Sequence, residues 1–142
     1  MVRRLLHVMC VVGVGSAVLA GCGKGVDMAK YSAPLEVVKR AELWMGRLQE
    51  GMASSDYSPA MDATLGMVKS IVQQDMPFSL GDKLKDEAAK QRVMPMLEKL
   101  QTTFEQSLYE PVTQTPPDLP TARAGLEECR GIVAQIKEAL GG

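Results

Sequence analysis

Few side chains in this chain are equipped for chemistry. The only histidine is His7, and the three cysteines are Cys10, Cys22 and Cys129. A lone thiol such as Cys129 could be redox-active or pair between chains. Thioether sulfur selects Cu(I), and Met94-Pro95-Met96 places two methionines with one residue between them, in a Met-x-Met spacing. Two acidic pairs, Asp86-Glu87 and Glu127-Glu128, have the residue types for acid–base work or for ligating a di-metal centre on helices. Cys22 stands apart from these because of what precedes it.

The chain opens Met1-Val2-Arg3-Arg4, and from Leu5 to Ala20 it carries no charge apart from the weak base His7. That run is short of the ~20 apolar residues that span a bilayer. It has the make-up of an export signal, a positive start followed by an apolar stretch. Small residues then gather at Ser16, Ala17, Ala20 and Gly21, as a signal-peptidase groove requires beside the scissile bond. Leu19-Ala20-Gly21-Cys22 resembles the lipobox of bacterial lipoproteins. The resemblance covers the first 22 residues and implies cleavage before Cys22, with diacylglycerol on its sulfur and acyl (palmitate-type) chains as anchor. Gly23 after the cysteine, in place of Asp, favours the periplasmic face of the outer membrane under the enteric sorting rule. Two or three chains hold where one holds only marginally. Gly23 to Ser32 then reads as a flexible tether of ten residues, reaching at most ~33–36 Å.

Without residues 1–21 the chain is one domain in size. Loss of Arg3 and Arg4 leaves 14 basic against 17 acidic side chains, a net −3. This excludes the basic footprint that nucleic acid needs. Trp44, three tyrosines and two phenylalanines leave little for a stacking platform. With Cys10 in the leader and Cys22 a thioether, Cys129 is the one free thiol. No intramolecular disulfide, Ser-His-Asp or Cys-His pair, or zinc site of the Cys/His kind can then form.

The elements that must position these residues are helices. Val37, Ala41, Trp44 and Leu48, flanked by Val38, Met45 and Met52, give helical periodicity from about Ala33 to Ala53. Ser58-Pro59 reads as a hydroxyl cap and a proline at the first helical position. Met61, Leu65, Val68 and Val72 follow on one face. Met76-Pro77 predicts an end near Asp75. Ser79 and Asp82 suggest a cap for a third segment over about Leu80 to Tyr109, with Leu97, Leu100, Phe104 and Leu108 at helical spacing. Pro95 inside it predicts a kink or break around Gln91–Met94. "EPVTQTPPDLP" reads as an extended connection. A last helix carries Leu119, Ala122, Leu126, Cys129, Val133, Ile136 and Leu140 in alternating steps of three and four, a bundle seam.

The expectation is an all-α, small antiparallel four-helix bundle with a kinked or broken third helix. Its organisation is a signal peptide over 1–21, a tether over 22–32 and the helical domain over 33–142. Cys129 on the seam reads as a small core hydrophobe. The acidic pairs fall on polar faces, and Met45, Met52 and Met61 on apolar stripes. An exported bundle of this size is similar in architecture to the cytochrome c-prime family, whose haem motif Cys-x-x-Cys-His lies on the last helix. Here that helix reads "LEECRGIVAQ", with Cys129 but neither the second cysteine nor the histidine, so haem does not carry over. The function expected is a lipid-anchored envelope lipoprotein that is no enzyme and holds no cofactor. It would bind a protein partner or act structurally at the membrane surface. The alternatives are a ligand or Cu(I) carrier, or a haem-free relative of the exported cytochromes.

Overall fold

A computed structural model describes residues 33–53 and 58–142, which fall in the unit Tyr31–Gly142. The leader, Cys22 and the tether lie outside the described residues. Those described form four helices with no strand among them. Helix α1 is Pro34–Ala53. Helix α2 begins as Pro59–Ser70 and runs on without interruption through Ile71–Asp75, Met76–Phe78 and Ser79–Lys83. Helix α3 comprises Glu87–Thr103, Phe104–Tyr109 and Glu110–Thr113. Helix α4 is Leu119–Ala139.

The apolar stripes read from the sequence are the core. Val37, Val38, Ala41, Met45, Leu48 and Met52 of α1 are buried in one core with Leu97, Leu100, Phe104 and Leu108 of α3 and the α4 seam. Each such side chain contributes roughly 1.5–3 kcal/mol by leaving water. Ile132 joins the α4 seam beside Val133. Helix α1 packs on α2 and on α4, α4 packs on α3, and the second half of α2 packs on α3. Individual contacts fix the register. Met61 lies against Gly51, and Arg40 meets Asp75 at 2.7 Å, which couples α1 to α2. Glu42 meets Lys137 at 2.8 Å, while Arg123 reaches Met52, which couples α1 to α4.

Two prolines behave differently from the sequence expectation, for one reason. Met76-Pro77 does not end α2. Ile71–Asp75 is π-helical, and the Met76 N–H donates to the Ile71 carbonyl five residues back. The same pattern recurs in α3, where Phe104–Tyr109 is π-helical and the Glu110 N–H donates to Glu105 ahead of Pro111. Proline in an α-helix clashes with the carbonyl four residues back and removes a donor. A wide turn placed just before it moves that carbonyl away, so the helix continues. The register shift has a cost of its own. The Val72 carbonyl would receive the N–H of residue 77, which proline lacks. Gln101 of α3 supplies the donor instead, its Nε2 lying 3.3 Å from the Val72 oxygen.

Pro95 lies inside the unbroken stretch Glu87–Thr103, so the break expected at Gln91–Met94 is absent. The interruption falls earlier, at Leu84–Asp86, where the backbone turns extended. Three cap assignments also change. Ser58 occupies the cap position with Pro59 next, but its hydroxyl makes no cap hydrogen bond. Ser79 is buried inside α2, and with Asp82 it belongs to the π-helical end of that helix rather than to the start of α3. The α3 cap is Asp86, whose carboxylate accepts from the Ala88 and Ala89 N–H groups at 3.0 and 3.2 Å. "EPVTQTPPDLP" is extended only in part, since Glu110–Thr113 is helical. The chain then turns through a cis Thr115–Pro116 bond to Asp118, which caps α4. The Thr121 hydroxyl and N–H both donate to Asp118 and hold its carboxyl below the usual range.

Candidate functional site

The residues singled out for chemistry do not converge. Cys129 is sealed in the core on the α4 seam. Burial first, and the neighbouring Glu128 carboxylate second, push its thiol up to about 12. The thiolate needed for nucleophilic or metal chemistry is therefore disfavoured. Met94 and Met96 are each half-buried against the core of α3. Two residues apart on a helix, side chains diverge by about 200°, so the two sulfurs flank Val93 and Leu97 from opposite sides rather than sharing one ligand position. Asp86-Glu87 and Glu127-Glu128 are exposed. Asp86 is engaged as a helix cap, and Glu128 lies 3.8 Å from Lys99 of α3. Among the described residues, no three His, Cys, Asp or Glu side chains gather as a metal site. Cys22 lies outside them.

Open space in the described unit lies instead along the seam between α1 and α4. One groove of about 410 Å³ is bounded by Gln49, Met52 and Ala53 of α1 and by Arg123, Ala124, Leu126 and Glu127 of α4. Its floor is apolar because the buried core side chains of Met52 and Leu126 line it from beneath. Its shape follows from a cap. At the end of α1, Arg123 Nε donates to the Met52 carbonyl at 2.7 Å. A cation there also suits the negative end of the helix dipole. A second hollow of about 470 Å³ lies nearer the far ends of the same helices, between Glu42 and Arg130, Gly131 and Ala134. Alanine and glycine on α4 keep it shallow. Such grooves can seat an apolar side chain or a small apolar ligand. The polar groups at the first groove are an amide, a carboxylate and a guanidinium already on a carbonyl, with no thiol or hydroxyl nucleophile among them.

Sequence reasoning found neither groove. The signal lay in α4, where Ala124, Gly131 and Ala134 interrupt an otherwise charged outer face. It also missed Gly125, where α4 closely approaches the α3 backbone. A Cβ added at Gly125 would sit 2.0 Å from the Ser107 carbonyl oxygen of α3. Glycine at this position lets α4 lie directly on the α3 backbone.

Comparison of the chain with protein-family models, with curated proteins and with solved structures gave no match.

Proposed function

We propose that this protein is a lipid-anchored lipoprotein of a bacterial envelope. Its helical domain, an antiparallel four-helix bundle, binds a protein partner or acts structurally at the membrane surface. The observation that carries this is the tetrapeptide Leu19-Ala20-Gly21-Cys22 at the end of a short apolar leader. The register supports the antiparallel arrangement. Arg40 with Asp75 and Gly51 with Met61 pair α1 and α2 in opposite directions, and Glu42 with Lys137 and Met52 with Arg123 do the same for α1 and α4. No helix among the described residues is long and apolar enough to cross a membrane. A role that is not enzymatic is supported by where the reactive groups lie, with Cys129 neutral inside the core and the carboxylates dispersed on outer faces.

The second reading, a carrier, is favoured by the apolar groove at Met52 and Leu126. It points to an organic ligand rather than Cu(I), given the divergence of Met94 and Met96. Crosslinking in intact cells followed by purification from membranes tests the choice. A protein crosslinked through the α1–α4 face supports the binding role. Recovery of the uncrosslinked protein with a stoichiometric small molecule supports the carrier.

A further inference from the structure

The described unit exposes three large apolar side chains: Leu43, Met67 and Phe78, at 53%, 42% and 45% of their surface. Two of them lie along the rods, and Phe78 lies at an end. Arg40 of α1 meets Asp75 of α2, and Met61 lies against Gly51. Phe78 is therefore level with the first turn of α1, and Ser79–Lys83 packs on α1 beyond it. The end of α4 arrives at the same place, since Gly142 lies against the side chains of Leu35 and Lys137. This is the end from which the chain runs back toward Cys22. The intervening residues 23–32 reach at most ~33–36 Å.

The chemistry of this end suits a lipid interface. Leu35, Leu84 and Leu140 are half-buried there and present part of their surface. Lys83 Nζ stands 5.4 Å from the centre of the Phe78 ring, and Lys85 is exposed two residues on. An aromatic ring with long cationic side chains beside it is the arrangement that sits at headgroup level, the ring in the acyl boundary and the ammonium groups in water. Asp82 and Asp86 are exposed on the same turn, so the two lysines are balanced by two carboxylates. The attraction is then apolar rather than electrostatic.

We propose that this end of the helical unit rests on the lipid surface, with Phe78 as its apolar contact. The proposal rests on the lipid-anchored reading. Docking of this kind would hold the rods upright and turn the groove at Met52 and Leu126, which lies toward the opposite end of α1, away from the membrane.

The test uses the full lipidated protein in vesicles whose acyl chains carry bromine. Trp44 is first replaced by Phe, leaving no other tryptophan. A single tryptophan is then introduced as Phe78→Trp or, for comparison, as Met67→Trp, about 16 Å further along α2. Each variant is checked for an unchanged helical melting transition. The expected result is bromine quenching at position 78 that is at least twofold stronger than at position 67. Equal quenching at the two positions overturns the proposal. Flotation of the protein with the vesicles is scored separately. If the protein fails to float, the lipid-anchored reading fails. If it floats and position 78 stays unquenched, the anchor stands and the docking end is refuted.

Discussion

Cys129 and Gly125 lie four residues apart on α4, and each is explained by what touches it. The Cys129 thiol is neutral because burial pushes it up to about 12 from 9.0. The folded state therefore keeps a proton that the unfolded chain gives up. Stability from this group is intact below about pH 9 and declines as pH rises toward about 12. Unfolding of the wild type should steepen above pH 9 relative to Cys129→Ala, which has no such group. A thiol reagent should react slowly with the native protein and quickly in denaturant; rapid native labelling would place the thiol at the surface. Gly125 has no room for a methyl group, since Ser107 oxygen would lie 2.0 Å from it. Gly125→Ala should lower stability by about 1–3 kcal/mol or more in a denaturant titration, as overpacking does. Gly131, with nothing within 4 Å of an added Cβ, should tolerate Ala. A larger loss at 131 than at 125 would contradict the close contact. The sequence made Cys129 legible through its place in the three-and-four spacing. Gly125 was not, because its need for smallness comes from a backbone atom of another helix.

At Pro77 and Pro111 the helix continues through proline by widening, and at Pro77 a neighbouring helix repairs the damage. Gln101 donates to the Val72 carbonyl that Pro77 leaves without a donor. Gln73 Nε2 also donates to Glu105 at 2.8 Å, and the Lys69 ammonium sits 3.6 Å above the Tyr109 ring, so the two π-helical stretches face each other. Gln101→Met keeps the length of the side chain and removes the donor. It should cost about 1 kcal/mol, and Pro77→Ala, which restores the missing N–H, should recover part of that loss when the two are combined. Simple additivity of the two changes in thermal unfolding would show that the two residues do not act on one carbonyl. Asp86→Ala should cost about 1 kcal/mol through the lost α3 cap, measurable in the same way. Helices α1 and α4 were readable to within a residue or two, since neither contains a proline beyond its first turn and both carry an unbroken stripe. Helices α2 and α3 were misjudged at Pro77, Pro95 and Ser79. Local rules for proline and hydroxyl residues assume an α-helical register, and Val72, Gln101 and Glu105 set a different one through tertiary contacts.

At the scale of the whole molecule, the charge balance, the single histidine at His7 and the apolar run before Cys22 all concern the same question of where the protein works. The rods have one end joined to the chain that leads back to Cys22. A groove of about 410 Å³ lies at Met52 and Leu126 toward the other end. Under the lipid-anchored reading we propose, two or three acyl chains would make release negligible, so a partner or ligand would have to come to the membrane. The proposed anchor rests on four residues, Leu19-Ala20-Gly21-Cys22. The sequence left the groove hidden, because the groove depends on how Arg123 closes the end of α1. The most direct measurement is metabolic labelling with a palmitate analogue in the bacterial host. Wild-type protein should carry the label and sediment with membranes, and Cys22→Ser should do neither. Label retained at full strength by Cys22→Ser would contradict the account at its centre.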